Sequence, residues 1–324
     1  MIEPTREPAF RPRDAGAPVR AVVGAMNFGK RTPATEAEAI VARAWERGVR
    51  VFDTANVYGD GESERILGKA LRGRGGALVA TKVGLLRVDG RVEGLSGARI
   101  ERALDDSRRR LGIDAIDLYY LHAPDPRTAL EETVDALARR LADGAVRAWG
   151  VSNFAAWQIL ELDRLCDERG VARPAVSQVL YNLLVRQLDV EYFAFTRRYP
   201  IHTTTYNALA GGLLAGHRAH GPVPRGSRFD GNPMYQRRYW TEPLFARVER
   251  YAALATELGT TLLDLAYGWL AAQPTVDSIL LGPASVGHLD AALDALARPL
   301  PADHVARVEA LHAALTGTDA RYAR

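Results

Sequence analysis

The sequence predicts a closed (β/α)8 barrel, with a long loop after its seventh strand and an extra C-terminal helix. Two observations carry this. Short apolar runs alternate with longer amphipathic ones eight times over, the pattern of parallel strands joined by helices. The 324 residues hold all eight units with no linker between them, which favours one barrel over two doubly wound domains.

In chain order, residues 1–18 are rich in Pro and Arg, lack an apolar stretch of signal-peptide type, and are expected to form a flexible arm. The barrel domain then runs from 19 to 324. Its strands are expected where apolar residues cluster: 19–23, 49–52, 78–82, 116–121, 146–151, 175–180, 201–206 and 278–281. Apolar residues recur at helical spacing between them, at 36–47, 62–71, 98–111, 128–142, 157–169, 189–198 and 243–258. Residues 216–240 break the rhythm. They are rich in Gly, Pro and Arg and read as a long loop at a strand's C-terminal end, where barrel enzymes build their sites. Residues 260–272 read as an extra helix before the eighth strand. Another helix starts in "LGPASVGHLDAAL", and one more follows Pro301.

Composition removes several classes of function. Hydrophobic residues make up 47% and charged residues 25%, as in ordinary globular domains. The formal net charge is +3 and the Arg residues are dispersed, so nucleic acid is not an expected partner. The single cysteine, Cys166, rules out an internal disulfide framework and lies in an amphipathic run, where packing is its expected role. No apolar run approaches the roughly 20 residues of a membrane helix. A cytoplasmic location is expected, and no His/Cys cluster has metal-ligand spacing.

The chemistry sits in "VFDTANVYG", "LVATKVG" and "LYYLHAPD". Taken singly, Asp53 reads as a turn or cap residue, Tyr58 as packing and His122 as a structural hydrogen-bonder. Lys82 at the end of an apolar run needs a partner. All four, however, fall at or just past the ends of strands two to four, which converge in a barrel. A phenol is a poor acid at neutral pH, and a neighbouring ammonium favours phenolate. At about 4 Å and an effective dielectric near 20 that attraction is on the order of 4 kcal/mol. Asp53 would hold Lys82, His122 would orient a carbonyl, and Tyr58 would give its proton to the oxygen. The hydride must then come from an organic cofactor.

No G-x-G-x-x-G follows the first strand, so a dinucleotide would not bind in the Rossmann manner. Ser152 and Asn153 in "WGVSNF" and Gln178 in "VSQVLYN" could bond a nicotinamide carboxamide. Tyr206 could stack under its ring. Gly211, Gly212 and Gly216 would let backbone approach a pyrophosphate. The helix after strand eight offers N-terminal amides to a phosphate.

These motifs in this order resemble the aldo-keto reductase superfamily, over residues 20 to the C-terminus. "YNALAGGLLAGH", "RFDGN…YQRRYW" and "RYAR" bring the chain nearest to the aflatoxin-aldehyde/succinic-semialdehyde reductase branch. The resemblance implies NADPH-dependent reduction of aldehydes or ketones, with the catalytic tetrad Asp53, Tyr58, Lys82 and His122. It implies cofactor contacts from Met26, Asp53, Ser152, Asn153, Gln178 and Tyr206. The loop segment 207–217, with Asn207, Leu209, Gly211, Gly212, Leu213, Gly216 and His217, would wrap the pyrophosphate. Arg228, Ala284, Ser285 and His288 complete the implied cofactor set. Tyr235, Arg238, Arg324 and His122 would meet an acidic carbonyl substrate, and a homodimer is implied.

The chain departs from the branch at Ala284, Ala291 and Ala292, which lack polar side chains for an adenosine phosphate. Arg218, Arg225 and Arg228 remain to pair a 2′-phosphate, so NADPH is expected over NADH. Two alternatives accompany this expectation. One is a non-catalytic nicotinamide-binding barrel, acting as redox sensor or regulatory subunit. The other is an isomerase forming a Schiff base on Lys82, which leaves Ser152, Asn153 and Gln178 without a role.

Overall fold

A computed structural model describes residues 10–216 and 219–318. Eight parallel strands close a barrel: β1 (Arg20–Gly24), β2 (Val51–Asp53), β3 (Leu78–Val83), β6 (Ile116–Leu121), β7 (Val146–Ser152), β8 (Val176–Leu180), β9 (His202–Tyr206) and β10 (Ser278–Leu281). They neighbour one another in chain order, and β10 closes onto β1. The expected strands at 116–121 and 278–281 have these bounds, and the other six differ by one or two residues.

The helices are α1 (Ala34–Glu46), α2 (Glu62–Ala70), α3 (Gly97–Leu111), α4 (Leu130–Ala142), α5 (Ala156–Arg169), α6 (Tyr192–Arg198), α7 (Pro233–Tyr239), α8 (Glu242–Glu257), α9 (Leu262–Ala272), α10 (Val286–Leu296) and α11 (Ala302–Thr316), and all but α7, which lies in the loop after β9, surround the barrel. Arg43 and Arg47 on α1 reach Asp290 and Asp294 on α10, linking the two ends of the ring. Cys166 is wholly buried in α5 and its thiol is pushed up to about 12 by burial, as suits a packing residue.

The strand period of two sorts the side chains. In β3, Val79, Thr81 and Val83 face the helices, while Ala80 and Lys82 face inward. Leu118, Tyr120 and Ala148 share the inner layer with Ala80. Because β2, β3 and β6 pair in parallel, with Asp53 opposite Ala80 and Lys82 opposite Tyr120, their last inward residues end at one mouth. Gly150 makes room inside: a Cβ there would lie 2.6 Å from the Val176 carbonyl and 2.9 Å from the Tyr120 ring.

Three features differ from the sequence-based expectation. The arm is docked from Phe10 on: Phe10 is 3% exposed in the inner layer with Ala80, Leu118, Tyr120 and Val176. The Arg13 amide donates to Asp277 at 2.7 Å, and its guanidinium donates to the Gln273 carbonyl at 2.6 Å. A large aromatic residue filling the barrel floor outweighs the local Pro-rich signal for disorder. The long loop carries a helix, α7, started by Pro233 and capped by Asn232, which accepts from the Tyr235 amide at 3.3 Å. A two-stranded hairpin, β4 (Arg87–Val88) and β5 (Arg91–Val92), follows β3. Its Asp89 and Gly90 have φ of 50° and 76°, the left-handed pair of a tight hairpin turn.

Candidate active site

Asp53 is the last residue of β2, Lys82 the fifth of β3, and His122 follows β6 directly. Lys82 is fully buried; its ammonium donates to Asp53 Oδ1 and, at 2.7 Å, to the Thr54 carbonyl. Burial lowers the Lys82 pKa from its ordinary value and Asp53 opposes that. The other Asp53 oxygen accepts from Gln178 Nε2 at 2.9 Å. A buried charge pair needs such added hydrogen bonds to hold its geometry.

Tyr58 sits in the loop between β2 and α2, fixed by its own amide to the Ala55 carbonyl at 3.1 Å. Its ring meets the His122 ring edge-on, with centroids 5.8 Å apart at 83°, and Lys82 Nζ lies 5.2 Å from its centroid. The four residues therefore share one corner of the mouth. The expected acidification of the phenol is absent here. Burial, followed by the Asp53 carboxylate, pushes Tyr58 well above its ordinary value. Burial first, and then the Lys82 charge, holds His122 far below 6.5, so the imidazole is neutral at neutral pH. Its Nδ1 is buried without a hydrogen-bond partner.

Next to His122, at the end of the neighbouring β7, Asn153 adopts φ 63°, a left-handed conformation that Asn tolerates. Its Nδ2 donates to the His122 carbonyl at 2.9 Å and to Ser152 Oγ at 3.1 Å, and its Oδ1 accepts from the Tyr206 hydroxyl at 2.6 Å. Burial raises Tyr206, and the nearby Arg238 guanidinium opposes that.

The loop after β9 begins with Asn207 at φ 63°, whose Oδ1 accepts from the Gly211 amide at 2.8 Å and whose Nδ2 donates to the Tyr239 hydroxyl at 2.6 Å. Ala210, Gly211 and Gly212 all have positive φ. A Cβ on Gly211 would lie 2.9 Å from Phe229, whereas Gly212 faces open space. Leu209 is partly buried and Leu213 buried against the core, which anchors the loop, and Gly216 closes its first described part. Arg228 crosses back to the β1 loop, its Nη1 3.3 Å from Met26 Sδ. After β10, Ser285 caps α10 by accepting from the His288 amide at 3.2 Å, and Ala284 accepts from Thr32.

Tyr235 is 6% exposed and packs its ring with Phe229 and Tyr239, under the Arg228 guanidinium. Arg238 stands by Tyr206. His217, Arg218 and Arg324 lie outside the described residues. Among those described, no cluster of His, Cys, Asp and Glu could hold a metal, and no helix is long and apolar enough to cross a membrane.

Sequence reasoning passed over Glu93 beside the hairpin. Its side chain is 1% exposed, and its Oε1 accepts from Asn56 Nδ2 at 2.8 Å, the Gly84 amide at 2.7 Å and the Leu86 amide at 3.2 Å. It ties the Tyr58 loop to the exit of β3. The "RVDGRV" turn signal could have revealed the hairpin, but nothing in the sequence marks Glu93 as buried.

The glycerol dehydrogenase from Gluconobacter oxydans has a similar structure, with a TM-score of 0.78, 26% identity, and coverage of 98% of this chain and 99% of that one. The rat (Rattus norvegicus) aflatoxin B1 aldehyde reductase member 2 is 34% identical over 306 residues, covering 88% of this chain and 82% of its own. A probable voltage-gated potassium channel subunit beta from Oryza sativa subsp. japonica is 33% identical over 264 residues, 79% of this chain and 80% of its own. Residues 20–313 match the sequence profile of the Aldo/keto reductase family, and this chain belongs to that family.

Proposed function

We propose that this protein reduces an aldehyde or ketone to the alcohol, with NADPH as hydride donor and Tyr58 as proton donor. The observation that carries the reading is the buried Lys82–Asp53 pair beside Tyr58, which itself faces a neutral His122. The residues fit a nicotinamide dinucleotide. His122 Nδ1 is an unpartnered polar atom at the mouth, Gly212 faces open space, and Ser152, Asn153 and Gln178 supply hydroxyl and amide groups for a carboxamide. The bound cofactor would supply the hydride to the carbonyl carbon.

The chain's own residues do the rest. His122, neutral, donates a hydrogen bond that orients the carbonyl oxygen. As negative charge develops on that oxygen, Tyr58 transfers its hydroxyl proton to it. The alkoxide is a far stronger base than phenolate, so a phenol that stays protonated is the correct donor. Lys82, held by Asp53 and Thr54, stabilises the phenolate left behind. Arg238, beside Tyr206, suits a carboxylate on the substrate.

The rice relative's name brings a second reading, a nicotinamide-binding subunit without turnover. Cofactor oxidation against a panel of aldehydes, with NADPH and NADH in parallel, separates the two. Turnover with carboxylated aldehydes supports the enzyme. Binding of cofactor with no oxidation across the panel contradicts it.

A further inference from the structure

The loop after β1 holds an arginine that no role above uses. Its residues Lys30, Arg31 and Thr32 all donate their amides to the Asn27 carbonyl, at 3.1, 2.9 and 2.9 Å, which makes a tight turn. Asn27 is 3% exposed, and its Nδ2 donates to the carbonyls of Gly282 and Pro283, at 3.2 and 3.3 Å. The turn is thus fastened to the exit of β10. From it Arg31 extends, half-buried, with Nη2 donating to Asn27 Oδ1 at 3.2 Å.

Arg228 arrives from the loop after β9 and lies between Met26 and Gly282. Its Nη1 is 3.3 Å from Met26 Sδ, and its Nη2 lies 3.8 Å from where a Cβ on Gly282 would be. The two guanidiniums feel each other: Arg31 is lowered to about 10, by burial first and then by the Arg228 charge. Among the described residues, neither forms an ion pair with a carboxylate. Holding two like charges half-buried and uncompensated works against folding, so the arrangement calls for an anion.

We infer that Arg31 and Arg228 together form an oxyanion seat across the mouth, and that its ligand is the diphosphate bridge of the dinucleotide. The inference rests on the reading of the site as a nicotinamide site. The positions favour diphosphate over a substrate carboxylate. A nicotinamide beside Asn153 and Tyr206, with its adenosine end at the Ser285-capped start of α10, must pass its diphosphate by Gly282 and Met26. Two guanidinium forks from separate loops match two adjacent phosphates, each with bidentate capacity.

The test uses the full chain, with NADPH and NADH titrated separately by fluorescence against wild type, Arg31→Gln and Arg31→Lys. The Gln variant keeps an amide N–H donor on a shorter side chain and removes the charge. The expected result is about a tenfold rise in Kd for both dinucleotides in Arg31→Gln, with most of the affinity regained in Arg31→Lys. Inorganic pyrophosphate should raise the Tm of wild type and not of Arg31→Gln. Wild-type affinity for both dinucleotides in Arg31→Gln would overturn the seat, and so would a loss confined to NADPH, which would assign Arg31 to the 2′-phosphate. A wild-type chain that binds neither dinucleotide would instead overturn the nicotinamide reading itself.

Discussion

The residue that decides the chemistry is Tyr58, and its environment does the opposite of what residue types alone suggest. Next to a lysine, a phenol is expected to acidify. Here Lys82 is committed to Asp53 and Thr54, while burial and the Asp53 charge raise the phenol well above its ordinary value. A raised pKa keeps the proton on Tyr58 as pH rises past neutrality, and a depressed one keeps His122 uncharged as pH falls toward 6.5. The kcat/KM for reduction should therefore be flat from about pH 6.5 to 9 and fall only in the alkaline range, as Tyr58 begins to lose its proton. A limb with a midpoint near neutrality, seen in a rate profile, would contradict these assignments. Glu93 acts one step back, as a positioning residue for the Tyr58 loop through Asn56. Glu93→Ala should lower kcat about tenfold and leave the cofactor Kd unchanged. Glu93→Gln, which keeps an acceptor oxygen, should recover part of that loss, and a variant that instead loses cofactor affinity would place Glu93 elsewhere in the mechanism.

Elements show why the sequence is readable in some places and silent in others. Asp53, Lys82, His122, Ser152 and Gln178 were legible because strand alternation and parallel register bring strand ends to one place. The loop after β9 was legible only as a loop. Its path depends on Asn207 bonding Gly211 and Tyr239, and on α7 packing Tyr235 against Phe229. The Asn207–Tyr239 bond joins residues 32 apart, and no local pattern encodes it. Tyr235, expected at the substrate, packs against Phe229 and Tyr239 within electrostatic reach of Tyr58 and Tyr206. Gly211 tests the element directly. Alanine there meets both a left-handed φ of 72° and a contact of 2.9 Å with Phe229. The backbone alone costs about 1 kcal/mol. Gly211→Ala should lower the Tm by a few degrees and weaken dinucleotide binding, both measurable on one preparation. An unaltered Tm and Kd would mean that the loop does not need this conformation.

At the scale of the whole molecule, the barrel was legible because eight amphipathic units impose it, and the floor was not. Phe10 fills that floor from a segment whose composition reads as disordered. Beside it His202 is 2% exposed, with Nδ1 2.8 Å from the Arg11 carbonyl and Nε2 2.7 Å from Ser278 Oγ. Burial lowers His202, as it lowers His122 and His312. A histidine depressed in the folded state contributes stability that is complete above its unfolded pKa, near 6.5, and lost as pH falls below it. The urea midpoint should hold from pH 8 to 7 and fall steadily from pH 6.5 downward. His202→Gln should flatten part of that fall, and an equally steep acid limb in that variant would remove His202 from the account.

The proton donor is tested most directly by Tyr58→Phe, in a single-turnover measurement of NADPH oxidation with an aldehyde and a parallel fluorescence titration of NADPH. Loss of the phenol should reduce the hydride-transfer rate at least a thousandfold, within the roughly 10²–10⁴ expected of a general acid, while NADPH binds as in wild type. A variant that turns over at the wild-type rate would contradict Tyr58 as the source of the proton.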